Sequence, residues 1–309
     1  MDFELSQTQR PILDALDALL GRYAGVERCR KLASVEGYDH ALERELRVSG
    51  FFDLFDEDSV GPLGATLAVE RIGANLGTIA AAAHLLVLPA LGIEPHEGPL
   101  TLAQDGVERP VRFAAEATSI LVAGPDRCTL SASTVSTDSA VPSAYGFSLG
   151  RIVPADKELE LAPGTAATML NWWRVGASAE AVGMMQQALD IAVQYAKDRQ
   201  TFRRAIGSFQ ALQHRLAELT ILVEGARWLT YEAAFHNAPA EASATAAAHT
   251  MAALGRLTRE THQIMGAIGL TREHDLHLYT LRLQALRTEL GGLRGHRRAL
   301  VTARWGVPA

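Results

Sequence analysis

Cysteine and basic charge are both scarce in this 309-residue chain, and each shortage excludes a class of protein. The two cysteines, Cys29 and Cys128, could pair, but nothing in the sequence requires it, and a reducing, cytoplasmic compartment is the simpler interpretation. Acidic residues outnumber basic ones, 35 against 29, so a formal net charge of −6 argues against a nucleic-acid-binding surface. Hydrophobic residues make up 48% of the chain, which is typical of a soluble globular protein.

Long hydrophobic runs are missing as well. The first residues, MDFELSQTQRPIL, carry acids and no apolar core, so we expect no secretion signal. The most apolar run, residues 78–91, is interrupted by His84 and Pro89 and is too short to cross a bilayer. We therefore expect neither a membrane nor a nucleic acid among the partners of this chain.

Hydrophobic spacing divides the chain into three parts. Over residues 1–95 apolar positions recur at helical intervals, which predicts an N-terminal helical domain. Over residues 96–160 short apolar runs alternate with Gly, Pro, Asp and Ser, which predicts a small, reduced antiparallel β-domain. Over residues 161–309 the helical spacing returns, and helices joined by short loops predict a C-terminal four-helix bundle. The predicted fold class is α+β, mainly α.

A dense basic stretch joins two of the predicted C-terminal helices, YAKDRQTFRRAIGSFQALQ at residues 195–213. Its guanidinium groups belong to Arg199, Arg203 and Arg204. The hydroxyl of Thr201 and the amide of Gln210 lie close by in sequence. Such a patch suits a diphosphate, because guanidinium groups bind phosphate oxygens in pairs and a helix start adds free N–H groups. The alternative is that these arginines pair with acids such as Asp198 and Glu218 on a solvated face.

A glycine-rich stretch, HQIMGAIGLTREHDLHLY, covers residues 262–279. Gly266 and Gly269 allow a left-handed helix end or a close backbone approach to a ligand, and a helix end without any ligand is the alternative. His274 and His277 could face the same way on a helix. Because no third ligand occurs at a suitable spacing, we expect no metal site.

The two stretches resemble the acyl-CoA dehydrogenase flavoprotein family. The first is similar to the family's Tyr-Ala, Arg-x-x-Phe-Gly and Ile-Gly-x-Phe-Gln pattern, and the second to its Gln-Ile-x-Gly-Gly-x-Gly pattern. The resemblance implies that both stretches touch the diphosphate and adenosine half of the FAD of a neighbouring subunit. The matching positions are Arg199, Thr201, Phe202, Gln210, Gln263, Ile264 and Gly266. Two departures are Arg203 and Ala267, which stand where the family usually has Gly.

The resemblance also implies a reaction in which a carboxylate removes the α-proton of an acyl thioester while a hydride leaves the β-carbon for the flavin. The family places this Glu in one of two positions. At one of them this chain has Trp173, followed by Arg174, and an indole cannot abstract a proton. At the other no Tyr-Glu-Gly-Thr-type loop is evident, and the nearest acid, Glu289, is expected on a helix-like run. Glu180 is expected to face a cap or a buried hydrogen-bond partner.

The motifs with which the family holds the flavin ring are not evident in residues 96–160. We therefore predict a subunit without a catalytic base of its own, beside a longer homologue that carries the Glu and the flavin-ring site. The resemblance extends to the short subunits of heterotetrameric (α2β2) acyl-CoA dehydrogenases from actinobacterial steroid and cholesterol catabolism. It implies a shared FAD, a bulky steroid-derived acyl-CoA as substrate and an electron-transferring flavoprotein as acceptor. The alternatives are a self-sufficient homomeric enzyme with Glu289 or Glu180 as base, and a flavin-free structural subunit.

Overall fold

Helices fill both ends of the chain in the computed structural model, which describes residues 7–35, 37–95, 97–106, 109–132, 140–152 and 158–306. The N-terminal elements are α1 (Gln9–Tyr23), α2 (Val26–Val35), α3 (His40–Val48), a 3-10 turn (Phe51–Asp53), α4 (Gly61–Ala74), a π-helical turn (Ala83–Val87) and α5 (Leu88–Ala90). The helical spacing in the sequence does not reveal α2, since Cys29 is its only fully buried residue. The segment at Gly61–Gly64, whose two glycines and proline are typical of a loop, is the first turn of α4, where the missing N–H of Pro62 costs nothing.

The middle of the chain forms two small sheets rather than a single antiparallel one. The strands are β1 (Leu100–Gln104), β2 (Val111–Arg112), β3 (Ser119–Ala123), β4 (Cys128–Ala132), β5 (Ala140–Val141), β6 (Leu149–Gly150) and β7 (Glu158–Glu160). The first sheet has the order β1-β3-β4-β7 and the second has the order β2-β6-β5. All pairs are antiparallel except β1–β3, which is parallel, because the chain between them leaves the first sheet to form β2 in the second.

The C-terminal part is a helical bundle built around one long helix. Its elements are α6 (Thr165–Asp198), β8 (Gln200–Thr201), β9 (Arg204–Ala205), α7 (Gln210–Phe235), α8 (Ala240–Met265), α9 (Leu276–Leu286) and α10 (Gly292–Trp305), with 3-10 turns at Ile206–Ser208, Gly266–Leu270 and Glu289–Gly291. Residues 175–185 of α6 are all buried, because α4, α7, α8 and α9 pack around that helix. A helix that is apolar on every side belongs in the centre of a fold.

The last predicted helix, expected from residue 276 to residue 304 with a weak point at Gly291 and Gly292, is two helices. The chain breaks at the Glu289–Gly291 turn, where Leu290 adopts the left-handed conformation (φ 51°, ψ 33°). Glu289 therefore lies on a turn and not on a helix, which corrects the expectation from sequence. No helix in the described part of the chain is long and apolar enough to cross a membrane.

Candidate functional site

A cavity of about 430 Å³ lies where the N-terminal helices, the small sheets and the C-terminal bundle meet. Small side chains form much of its wall: Ala80, Ala82, Ala83, Ala103 and Ala285. Aromatic rings form another part: Phe113, Tyr145, Phe147 and Trp173. The charged side chains Arg109, Arg112 and Glu289 also line it. This volume is in the range of small-molecule sites, and the alanine wall leaves room for a bulky apolar group.

Arg112 holds two carboxylates at this cavity. Its Nη1–H donates to Glu180 Oε2 at 2.7 Å, and its Nε lies 3.2 Å from Glu289 Oε1. The second oxygen of Glu289 accepts a hydrogen bond of 2.7 Å from the indole Nε1–H of Trp173. The guanidinium also lies over the ring of Phe113, 5.4 Å from its centroid. Both oxygens of Glu289 are therefore engaged by groups of the same chain.

Burial governs the proton affinities in this cluster. It raises the pKa of Glu180, which is 4% exposed, and the attraction of Arg112 works against that rise. Burial by itself lowers the pKa of Arg112, but Glu180 and Glu289 outweigh it and raise that pKa above its ordinary value. The guanidinium stays charged, and it serves two acids whose separate burial would be costly.

The backbone explains how these side chains meet. Glu180 projects from the middle of α6, where Gly73 of α4 packs so closely that an added Cβ would lie 2.6 Å from the Glu180 carbonyl oxygen. Glu289 projects from the turn between α9 and α10, and Arg112 from the short strand β2. The structure thus brings together Trp173, Glu180 and Glu289, the three residues considered from sequence as positions for a base. Arg112 was not predicted from sequence; the available signal was an arginine within a short apolar run, which can indicate a buried ion pair.

The arginine-rich junction is an exposed two-stranded hairpin. Strands β8 and β9 pair, and the turn residues Phe202 and Arg203 are both left-handed, with φ of 53° and 66°. A left-handed turn residue is the conformation that glycine adopts without strain, which accounts for the family's preference for Gly at the position of Arg203. The Phe202 side chain is 86% exposed at the tip.

The acids expected to neutralise this junction are engaged elsewhere. Asp198 accepts hydrogen bonds from the side-chain amide of Gln194, and Glu218 pairs with Arg256. Within the described residues neither Arg199 nor Arg203 has a carboxylate partner. In the described structure these arginines therefore do not pair with Asp198 or Glu218, the two acids that the sequence offered as partners. The guanidinium groups beside the start of α7 at Gln210 are open to an anion, and they fit a phosphate group.

Gln263, Ile264 and Gly266 lie at the end of α8. Gln263 is exposed, Ile264 is buried in the core, and Gly266 is exposed with φ 63° and ψ −142°. That combination of angles is accessible only to glycine, and a Cβ there would meet nothing within 4 Å. The helix end therefore presents open backbone to solvent.

His274 and His277 have local roles in the turn before α9. His274 Nδ1 accepts a 3.3 Å hydrogen bond from the Leu276 backbone N–H, and His277 Nδ1 lies 2.6 Å from the His274 carbonyl oxygen. Asp275 pairs with Arg30 at 2.6 Å. These contacts cap the start of α9.

Known proteins resemble this chain both in its C-terminal part and in its whole fold. Residues 164–304 match the family model "Acyl-CoA dehydrogenase, C-terminal domain". The chain is 29% identical to acyl-CoA dehydrogenase IpdE2 of Mycobacterium tuberculosis over 327 aligned positions, covering 98% of this chain and 99% of that protein. In fold it matches a chain of the ChsE4-ChsE5 complex of Mycobacterium tuberculosis over the full length of both, with a TM-score of 0.82 and 21% identity. It also matches a chain of the Tcur3481-Tcur3483 steroid ACAD G363A variant, covering 95% of this chain and 96% of that one, with a TM-score of 0.79 and 19% identity.

The bundle at residues 164–304 is thus an acyl-CoA dehydrogenase C-terminal domain. Over its full length the chain shares the fold of a chain of the ChsE4-ChsE5 complex and aligns from end to end with an acyl-CoA dehydrogenase at 29% identity. The family consists of oxidoreductases, and FAD is its cofactor.

Proposed function

We propose that this chain is one subunit of an FAD-dependent acyl-CoA dehydrogenase that introduces an α,β double bond into an acyl-CoA. In this proposal a longer homologous subunit supplies the catalytic Glu and the flavin-ring site. One observation carries it: both oxygens of Glu289, the carboxylate that lines the chain's own cavity, are engaged, one by Arg112 and one by Trp173.

A general base for an α-proton needs a free lone pair and a proton affinity raised toward that of the weak carbon acid. Glu289 would have to give up an ion pair and an indole hydrogen bond before it could approach a substrate carbon. Glu180 is buried on α6 and bonded to the same guanidinium, so it too would have to leave an ion pair first.

The residues that this chain offers to a cofactor face outward. We propose that Arg199, Thr201, Gln210, Gln263 and Gly266 hold the diphosphate and adenosine half of an FAD whose ring lies in the partner. Phe202, at the hairpin tip, packs against that partner, and buried Ile264 supports the end of α8. Bound FAD supplies the acceptor for the β-hydride. The role of the hairpin in this chain is electrostatic, since its guanidinium groups have no carboxylate partner among the described residues and can neutralise phosphate charge.

The proposed substrate is a bulky, steroid-derived acyl-CoA. The alanine wall of the cavity supports this size class, because methyl side chains leave volume that leucine or phenylalanine would fill. The likeness in fold to a chain of a steroid acyl-CoA dehydrogenase gives further support. We also propose a cytoplasmic heterotetramer with an electron-transferring flavoprotein as electron acceptor.

The variant Arg199→Ala tests the cofactor role. The control is Arg297→Ala, which also removes an exposed arginine but lies on α10. Each is co-expressed with the longer homologue and compared for flavin absorbance per complex and for mass in solution. Arg199→Ala is expected to lower the FAD content and leave the assembly intact, while Arg297→Ala changes neither. Unchanged FAD content in Arg199→Ala would instead favour a subunit that only stabilises its partner.

A self-sufficient homomeric enzyme is the second candidate, because Glu289 lies on a turn at the cavity where a base could act once Arg112 moves. Its test is Glu289→Gln. If the chain purified alone oxidises an acyl-CoA and Glu289→Gln abolishes that activity, the base belongs to this chain. Under the subunit proposal the chain alone has no such activity, and Glu289→Gln leaves turnover by the complex within a few-fold of the parent.

A further inference from the structure

A second cavity, of about 340 Å³, lies between α2, the segment at residues 143–146 and the first half of α9. It is separate from the cavity at Glu289, although Tyr145 lines both. Nothing in the proposed dehydrogenation uses it. Three arginines, Arg30, Arg272 and Arg282, line it, so positive charge dominates its wall.

Arg282 is the unusual member of this group, because it is 3% exposed and has no carboxylate at ion-pair distance among the described residues. Its terminal nitrogens donate to the carbonyl oxygens of Leu76 and Gly146 and to the hydroxyl of Thr78, at 2.7–3.0 Å. Its Nε, also buried, has no hydrogen-bond partner in the described structure. Burial lowers the pKa of this guanidinium, which means that its charge is incompletely compensated.

The other two arginines differ in how far they are neutralised. Arg30 pairs with Asp275 at 2.6 Å, so its charge is matched. Arg272 is exposed and has no acidic partner among the described residues. The cavity wall thus keeps two positive charges, from Arg272 and Arg282, without a matching carboxylate in that part of the chain.

The remaining wall is divided between hydroxyl groups and apolar side chains. The hydroxyl of Ser34 donates to the Lys31 carbonyl oxygen and that of Ser143 accepts from the Tyr145 backbone N–H, and the apolar part consists of Ala33, Leu278 and Leu281. A ligand that matches the two arginines and this apolar part carries an anionic head and an apolar body.

We propose that this second cavity binds an organic carboxylate with a compact apolar body. Its carboxylate binds Arg272 and lies beside the buried guanidinium of Arg282. Its apolar body packs against Ala33, Leu278 and Leu281. The terminal nitrogens of Arg282 already donate within the chain, so Arg282 contributes its charge and its Nε–H, while the exposed Arg272 can bind the carboxylate with two N–H groups. Together these groups favour a carboxylate over a neutral ligand of the same shape.

The segment at residues 143–148 joins the two cavities. Tyr145 lines both, Gly146 accepts the hydrogen bond from Arg282, and Phe147 lines the first cavity with its ring centroid 5.7 Å from the Arg282 guanidinium carbon. A carboxylate held beside Arg282 therefore contacts the same short segment that forms a wall of the cavity at Glu289.

The test is calorimetric titration of the full chain, or of the co-purified complex, with adamantane-1-carboxylate. The neutral control ligand is 1-adamantanemethanol, and inorganic phosphate is the bare-anion control. Saturable binding of the carboxylate is expected, at least tenfold tighter than that of either control. Arg272→Gln is expected to weaken it at least tenfold, and Arg297→Gln, which removes an exposed charge outside the cavity, is expected to leave it unchanged.

Equal binding of the alcohol, equal binding of phosphate, or equal weakening by the two arginine variants would each overturn the proposal. Arg272 is exposed, so its substitution does not endanger folding. The readout is ligand affinity and not turnover, so failure of this proposal leaves the proposed subunit function standing, and the reverse also holds.

Discussion

Replacement of Arg112 by methionine is the most direct test of the ion-paired cluster formed by Arg112, Glu180 and Glu289. It leaves Glu180, which is 4% exposed on α6, and Glu289, which lines the cavity, without their shared cation. Breaking a buried ion pair from one side costs about 3–5 kcal/mol. For a chain of this length that corresponds to a fall in the unfolding midpoint of roughly 6–10 °C, at about 2 °C per kcal/mol.

The assay is thermal unfolding followed by circular dichroism, with Arg127→Met as the control. Arg127 lies in the same β-region, and its pairing with Asp105 at 3.8 Å is exposed, so its loss should cost less than about 1 kcal/mol. The triple variant Arg112→Met/Glu180→Gln/Glu289→Gln should regain most of the lost stability, because no unpaired charge remains. Equal midpoints for Arg112→Met and Arg127→Met at neutral pH would refute the assignment of Arg112 as the clamp of both acids.

The same variant has a defined pH dependence. Burial raises the pKa of Glu180 in the folded chain, and removing the opposing Arg112 raises it further. A carboxyl with a raised folded-state pKa favours folding below its unfolded value, and that contribution is lost as the pH rises through the folded-state pKa. The deficit of Arg112→Met relative to the parent should therefore be largest at neutral pH and shrink toward acid pH.

Three further predictions concern other parts of the molecule. Gly266→Ala places a Cβ on angles that only glycine adopts (φ 63°, ψ −142°), so it should cost about 1–3 kcal/mol of stability and lower the FAD content of the complex, measured by unfolding and by flavin absorbance. Burial, followed by the repulsion of Arg174, lowers the pKa of His296 from 6.5 to about 4, so stability should fall as the pH drops from 6.5 toward 4, by about 3 kcal/mol, and His296→Leu should remove that loss in a pH series of unfolding midpoints. Ala285→Leu should fill part of the cavity at Glu289 and reduce turnover of a bulky acyl-CoA by the complex, leaving flavin content unchanged; equal turnover would show that the bulky acyl group lies elsewhere.

The parts of the fold that sequence predicts are those fixed by local periodicity. Apolar spacing predicts the bundle helices α6, α7 and α8. The basic junction after α6 follows from its arginines and from Gly207 and Ser208, which interrupt the helical pattern. The position of Glu289 does not, because it depends on one left-handed residue, Leu290, next to Gly291 and Gly292. Two adjacent glycines suggest a weak point in a helix but do not tell where the preceding side chain points.

The cluster of Arg112, Glu180 and Glu289 cannot be predicted from local sequence. Arg112 reaches Glu180 across 68 positions of sequence and a change from strand to helix. Its guanidinium is recognisable as a partner only after β2, α6 and the turn at Glu289 have been placed together. Similarly, the freedom of the hairpin arginines depends on Asp198 and Glu218 having other partners, which no spacing rule reveals.

The most direct test of the subunit proposal is the flavin content and mass of this chain, purified alone and then co-expressed with a longer homologue. We expect the chain alone to be colourless. Only with the partner present should it become part of a yellow hetero-oligomer that is active on an acyl-CoA. A yellow homo-oligomer that oxidises an acyl-CoA unaided would contradict the subunit proposal, and would assign the base to Glu289.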